Sequence, residues 1–232
     1  MGAGERMGRG GWLTVLALLT LFRLVVAASV PLTPDEAYYR LWALAPAAGY
    51  FDHPPMVALW IRFGLLVVGD TPLGLRVMGP LSAALGSVLL AHVGALWLRR
   101  PDGQPDWRAG TRVALLLNAT LAIGLGAIIM TPDTPLIFFV ALLLWSLGGL
   151  CMGGASWLWL VAGLAAGLGF DSKYSMVLPV AGVGLWLVGS PAGRVWLRKP
   201  WPWLGTIVGC VCVLPVIWWN AQHAWGGLTR QG

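Results

Sequence analysis

Long apolar runs recur along the whole sequence and constrain its fold more than any other feature. Hydrophobic residues make up 58% of the chain and charged residues 10%, with a mean hydropathy of +0.76, a balance that a soluble domain with a polar surface does not reach. Hydrocarbon satisfies no backbone hydrogen bonds, so a spanning segment must be a helix or part of a closed barrel. The runs are too long for barrel strands, and the sequence therefore predicts an all-α integral membrane protein.

Seven apolar runs are long enough, or nearly so, to cross a bilayer as helices. A span needs about 20 residues, and proline, glycine and charged residues bound the predicted spans at roughly 11–30, 73–98, 112–130, 135–152, 156–170, 174–188 and 201–219. The runs near residues 156 and 174 are short and are also consistent with one bent helix pair broken at FDSKYS. We predict about seven transmembrane helices in a single module that covers residues 1–232.

The loop between the first two spans, residues 31–72, is neither polar enough for disorder nor apolar enough to cross the membrane. It is typical of interfacial helices, which we predict from residue 34 to about 45 and from residue 55 to about 68. Tyr38, Tyr39, Trp42 and Trp60 are the aromatic anchors expected at headgroup level.

The distribution of lysine and arginine predicts the orientation. If the N-terminus is cytoplasmic, short inner loops hold nine of the 15 basic residues, namely Arg6, Arg9, Arg99, Arg100, Arg108, Arg112, Arg194, Arg198 and Lys199, as the positive-inside rule requires. The net charge of +6 then reflects topology rather than nucleic-acid binding. A cleaved signal peptide ending near Ala27-Ala28-Ser29 is the alternative for the first run, which is nevertheless long enough to be a retained anchor.

The same orientation places most acidic residues on the outer face, namely Asp35, Glu36, Asp52, Asp70, Asp133 and Asp171. Four separate outer connections contribute ionisable or hydrogen-bonding groups there: the loop after the first span, the turn at Asp133, residues 171–173, and residues 220–225. Charged residues at membrane depth usually mark functional sites. We therefore predict that these connections form a common outer pocket.

The motif TPDEAYY at residues 33–39 begins a predicted helix. Thr33 is the expected N-cap, Pro34 the first helical residue and Glu36 the partner in a capping box. Asp35 follows Pro34 at the positive end of the helix dipole, where a carboxylate is available to accept a proton or bind a cation. Capping and function are both open interpretations for Glu36, and for Asp35 we favour function.

The motif TPDT at residues 131–134 repeats this arrangement at the outer end of the third predicted span. A threonine cap, a proline and then Asp133 begin the next helix. A charge costs about 2 to 3 kcal/mol at mid-membrane and less near the interface. Asp133 is therefore a site candidate rather than an ordinary capping residue.

Two further motifs contain cationic candidates. FDHPP at residues 51–55 combines Asp52 and His53 with two prolines that fix the backbone, although a lone loop histidine is more often simply exposed. DSKYS at residues 171–175 contains Lys173, one of two lysines, which either anchors at the headgroups or binds a lipid phosphate.

The last polar segment, WWNAQHAW at residues 218–225, is typical of an aromatic interface belt, with Asn220 and His223 as possible polar contributors. The three cysteines, Cys151, Cys210 and Cys212, are odd in number and lack metal-ligand spacing. We predict neither a disulfide framework nor a dedicated metal cluster.

Together and in this order, TPDEAYY, YFDHPP, TPDTP, SKY and WWN resemble the N-terminal half of bacterial membrane glycosyltransferases of the GT-C superfamily. The resemblance is to the family 39 branch, which is similar to protein O-mannosyltransferases and related to the lipid A aminoarabinose transferase. It spans residues 33–225 and implies a shared seven-span module with a periplasmic active site. Family members usually continue with more spans, so a truncated chain is expected.

The resemblance also implies roles for individual residues. Asp35, Glu36 and Asp133 match acidic catalytic positions, and Lys173 and His53 match positions near the phosphate of the sugar donor. Asp52, Tyr39, Tyr174 and Asn220 are candidates for substrate binding. The implied donor is a sugar on polyprenyl phosphate, and the acceptor is a glycan, lipid or protein. Some GT-C enzymes use a divalent metal and others do not.

Two other functions remain open from the sequence. A transporter or flippase of a lipid-linked intermediate would place polar residues along a path to both membrane faces, whereas here they are predicted on one. The short length also fits a non-catalytic or truncated relative.

Overall fold

The computed structural model describes residues 3–229, and side chains from residue 11 onward except those of residues 121 and 122. It confirms the predicted all-α fold, since residues 3–229 contain helices and no strand. The side chains of Arg6 and Arg9, used above to orient the chain, lie outside the described residues. The α-helices are α1 (Ala3–Ser29), α2 (Pro34–Leu44), α3 (Met56–Val68), α4 (Pro72–Arg76), α5 (Met78–Trp97), α6 (Trp107–Ala119), α7 (Leu121–Gly124), α8 (Asp133–Cys151), α9 (Leu158–Phe170), α10 (Val177–Gly189), α11 (Pro191–Leu197), α12 (Pro200–Gln222) and α13 (Gly226–Thr229), with a 3₁₀ turn at Tyr174–Met176.

Four helical stretches of the described chain are long and apolar enough to cross a membrane: Gly11–Ser29, Pro72–Trp97, Asp133–Cys151 and Pro200–Gln222. A fifth is possible if α10 and α11, which meet at a bend of 97°, form one broken span. The predicted number of seven is therefore not confirmed. The chain is a membrane protein, and large apolar side chains such as Leu18 and Phe22 stay about 60% exposed on α1, as a lipid-facing helix requires.

The third predicted span, 112–130, is interrupted. Helix α6 ends at Ala119, and the backbone continues through the short α7 and irregular turns, because asparagine, threonine and glycine in NATLAIGLG are weak helix formers. Arg23 of α1, which is buried, stabilises the break by donating to the Asn118 side chain at 2.8 Å and to the Ile123 carbonyl at 2.9 Å. Similarly, α9 has 13 residues, fewer than the roughly 20 of an upright span.

The chain divides into two compact units. Unit one comprises Met1–Ala45 and Ala58–Thr134, and unit two comprises Pro46–Val57 and Pro135–Gly232. In unit one α5 packs on α6. The two helices predicted in the first outer loop are present as α2 and α3.

In unit two α9 packs on α12 through small residues on both helices. A Cβ atom at Gly163 would overlap the carbonyl oxygen of Gly205, and one at Gly167 would lie 2.7 Å from the carbonyl oxygen of Gly209. Glycines at this spacing allow two helix backbones to approach closely. An apolar cavity of about 500 Å³ lies between α9, α10 and α12.

Candidate active site

The first TPD turn begins α2 and separates its two acidic residues. Thr33 caps the helix by accepting from the Glu36 amide at 3.3 Å, and the Glu36 carboxylate accepts from the Thr33 amide at 3.0 Å, so the capping box is complete. Asp35 is exposed, whereas Glu36 is buried with 0% exposure. Among the described side chains none forms an ion pair or hydrogen bond with the Asp35 carboxylate.

Glu36 receives hydrogen bonds from three parts of unit one. Its Oε1 accepts from Arg76 Nε at 2.6 Å and from the Met130 amide at 3.0 Å. Its Oε2 accepts from Arg76 Nη2 at 2.5 Å and from the amide and hydroxyl of Thr33. Burial alone would raise the pKa of Glu36, but these hydrogen bonds outweigh it and hold the pKa below its usual value.

Arg76, at the end of α4, uses every N–H of its guanidinium and is 1% exposed. Besides the two bonds to Glu36, it donates to the carbonyl oxygens of Ala27 at 3.0 Å, Val30 at 2.7 Å and Pro31 at 2.9 Å. These carbonyls lie at the end of α1, where a helix leaves acceptors unpaired. Arg76 thus joins the end of the first span to the acidic turn.

The second TPD turn shares one hydrogen bond with the first. Thr134, the fourth residue, is buried and accepts from the Thr131 amide at 3.1 Å, as Glu36 accepts from the Thr33 amide. Asp133, at the third position and the first residue of α8, is exposed. The two turns therefore each present an aspartate outward, and the bond from Met130 to Glu36 ties one turn to the other.

In unit two the FDHPP turn is held by its backbone and by aromatic side chains. The Tyr50 amide donates to the His53 carbonyl at 3.1 Å, and the Met56 amide donates to the Asp171 carbonyl at 2.9 Å. Phe51 contacts the rings of Trp219 and His223 edge-on, with centroids 5.3 and 5.7 Å away. The turn is thereby joined to the segment that contains Lys173 and to the end of α12.

Tyr174 and Asn220, both predicted to bind substrate, contact each other. The Asn220 side-chain amide donates to the Tyr174 hydroxyl at 3.1 Å and to the Val216 carbonyl at 2.9 Å. Asn220 is 0% exposed and its Oδ1 has no hydrogen-bond partner. Asp171 is 7% exposed, its Oδ1 is also unpaired, and burial raises its pKa to about 7.

The structure thus groups the predicted residues within each unit. In unit one Glu36 connects the chain segments of Asp35 and Asp133, while Tyr39 is buried against Trp42, with ring centroids 5.0 Å apart. In unit two Asp52, His53 and Lys173 are half-buried on connected turns, and Tyr174 meets Asn220. The predicted common pocket joins residues of both units and stays a prediction.

Two residues of these clusters were missed by sequence reasoning. Arg76 received no role from the sequence, although a lone arginine at the start of the second predicted span signals a buried acidic partner. Asp171 was assigned to the outer face but given no role of its own; its position directly after the apolar helix α9 is the signal for a buried carboxyl group.

A family-model match and a similar curated relative place this helical membrane chain in the GT-C class of glycosyltransferases. Within this class it belongs to the dolichyl-phosphate-mannose-protein mannosyltransferase family, whose model matches residues 52–219. It is similar to the lipid A galacturonosyltransferase RgtD of Rhizobium johnstonii, with 31% identity over 218 residues, which cover 93% of this chain. The match spans 44% of that relative's length. No solved structure matches the chain.

Proposed function

We propose that this protein transfers a sugar from a polyprenyl phosphate carrier to an acceptor hydroxyl or phosphate on the periplasmic face of the bacterial inner membrane. Membership of a family described by a dolichyl-phosphate-linked mannose donor supports a lipid-phosphate donor. Similarity to a lipid A galacturonosyltransferase supports a glycan or lipid acceptor at the cell envelope. The N-terminus is cytoplasmic in this proposal, as the distribution of basic residues predicts.

The exposed carboxylate of Asp35 is the observation that carries the proposal. It lies in the first turn of α2, whose backbone is fixed by the capping box, while the neighbouring Glu36 is buried. A carboxylate that is fixed by its backbone and open to solvent is suited to act as a general base. Asp133 occupies the equivalent position in the second TPD turn, and we assign it to orienting sugar or acceptor hydroxyls.

In the proposed reaction the acceptor oxygen attacks the anomeric carbon of the sugar while its proton passes to Asp35. A new carbon–oxygen bond forms to the acceptor, and the bond from the anomeric carbon to the carrier phosphate oxygen breaks. The departing lipid phosphate gains negative charge, which Lys173 and His53 are assigned to stabilise. Tyr174 and Asp52, which are half-buried, are assigned to substrate binding. Asn220, which has 0% exposure, is assigned to holding the Tyr174 hydroxyl, and Tyr39 is buried against Trp42.

The test is Asp35→Asn in the full-length protein, purified and supplied with lipid-linked sugars extracted from the native membrane. We expect transfer, followed by mass spectrometry of the acceptor, to be lost while membrane insertion and yield match the wild type. The control Arg40→Gln removes an exposed ion pair with Asp70 in the same unit and should keep transfer. Undiminished transfer by Asp35→Asn would refute the mechanism, and flipping of the carrier without transfer would favour a flippase.

A further inference from the structure

Glu36 and Arg76 form a buried ion pair that connects the two turns presenting Asp35 and Asp133. We propose that this pair is a positioning device, which fixes the two exposed aspartates relative to each other and takes no part in proton transfer. The expected effect on sugar transfer rests on the proposed function. The positions of residues 35 and 133 can be tested without an activity measurement. It gives Glu36 a role different from the catalytic one predicted from the sequence.

The acceptor capacity of Glu36 is already used. Its two oxygens accept from Arg76 Nε and Nη2, from the amide and hydroxyl of Thr33, and from the Met130 amide. Its exposure is 0%, so neither an acceptor hydroxyl nor a sugar reaches it in this conformation. Hydrogen bonds to the charged form hold its pKa low, which suits a permanent anion rather than a proton acceptor.

Helix capping does not account for this arrangement. A capping box needs only the reciprocal bonds between Thr33 and Glu36, which are present. The bonds from Arg76 and Met130 come from residues 40 and 94 positions further along the chain. Met130 directly precedes the second TPD turn, so a single carboxylate holds the start of α2 and the start of the second turn together.

Arg76 connects Glu36 to the end of α1. Its guanidinium binds three carbonyl oxygens at the end of α1 on one side and both carboxylate oxygens of Glu36 on the other. The planar fork of arginine matches a carboxylate with two parallel bonds, whereas a lysine ammonium carries three donors and no such plane. Arg76→Lys therefore keeps the charge and loses the geometry.

The first experiment measures position alone. In the full-length protein with its native cysteines replaced by serine, spin labels at residues 35 and 133 report their separation by pulsed electron paramagnetic resonance. Both sites are exposed and accept a label. We expect one narrow distance distribution, which broadens or shifts in Glu36→Gln and Arg76→Lys and stays unchanged in the control Arg40→Gln. An unchanged distribution in both Glu36→Gln and Arg76→Lys would overturn the proposal.

The second experiment measures transfer and its pH profile with the unlabelled protein. Small misplacements of catalytic groups cost about 100-fold in rate, so we expect Glu36→Gln and Arg76→Lys each to lower kcat by about that factor. The acidic limb of the profile should persist in both, because Asp35 is still present. Loss of that limb in Glu36→Gln would show that Glu36 itself accepts the proton, and would overturn the proposal.

These two experiments separate the inference from the proposed function. Full transfer by Asp35→Asn would refute the assigned chemistry, while the distance measurement would still decide whether Glu36 and Arg76 position residues 35 and 133. If Glu36→Gln does not yield folded protein, Arg76→Lys, which keeps both charges, serves as the test in both experiments.

Discussion

The close crossing of α9 and α12 makes a quantitative prediction for Gly167→Ala. The added Cβ would lie 2.7 Å from the Gly209 carbonyl oxygen and 2.7 Å from the Cys212 Cβ. Ordinary van der Waals contact begins near 3.4 Å, so the helices must separate locally by about 0.7 Å, and overpacking of a close-packed interior costs about 1–3 kcal/mol. Gly163→Ala should cost more, because its Cβ would overlap the backbone of Gly205.

The matched control is Gly182→Ala in α10, where nothing lies within 4 Å of the added Cβ. There the gain in helix propensity, about 1 kcal/mol, should leave the protein as stable as wild type or more so. The free energy of unfolding is measured by denaturant titration of each purified variant in detergent micelles. The expected order of stability is Gly182→Ala, then Gly167→Ala, then Gly163→Ala. If Gly163→Ala and Gly167→Ala were as stable as Gly182→Ala, the close crossing would be refuted.

Three further predictions concern single side chains. Burial raises the pKa of Asp171 to about 7, so the folded state binds this proton more tightly than the unfolded state does. The free energy of unfolding of the wild type therefore falls as pH rises toward 7. Asp171→Asn should have a higher Tm than wild type above pH 7 and a similar Tm near about pH 4. Gly227→Ala would place a Cβ 2.8 Å from Asn220 Oδ1 and should lower the Tm, and an unchanged Tm would contradict the packing. Arg40→Gln removes an exposed ion pair with Asp70, and thermal unfolding should show no change, because such pairs contribute little.

Local signals predicted the fold best. The start of α2 at Pro34 follows from Thr33, the proline and Glu36, all within four residues. The break after α6 was not predicted, because its stability depends on Arg23 of α1 donating to Asn118, almost a hundred positions away. A periodic or apolar pattern contains no information on such a partner, so a run of the right length was assigned as one continuous span.

In the candidate site, too, local motifs were predicted and long-range contacts were not. The sequence indicated that Asp35 and Asp133 occupy equivalent TPD turns, and the structure places both side chains at the surface. The sequence could not show that Asp35 is exposed and Glu36 buried, because the two acids are adjacent and the burial of Glu36 depends on its ion pair with Arg76. Long-range hydrogen bonds, rather than residue type, decide which acid remains available for chemistry.

The membrane side of the assigned residues tests the account most directly. The native cysteines of the full-length protein are replaced by serine, and a single cysteine is placed at position 35, 133 or 173. Intact cells with a permeable outer membrane are then treated with a maleimide that does not cross the inner membrane. We predict that all three are labelled from the periplasmic side before the inner membrane is opened. Labelling of any of the three only after the inner membrane is opened would contradict the proposed periplasmic site.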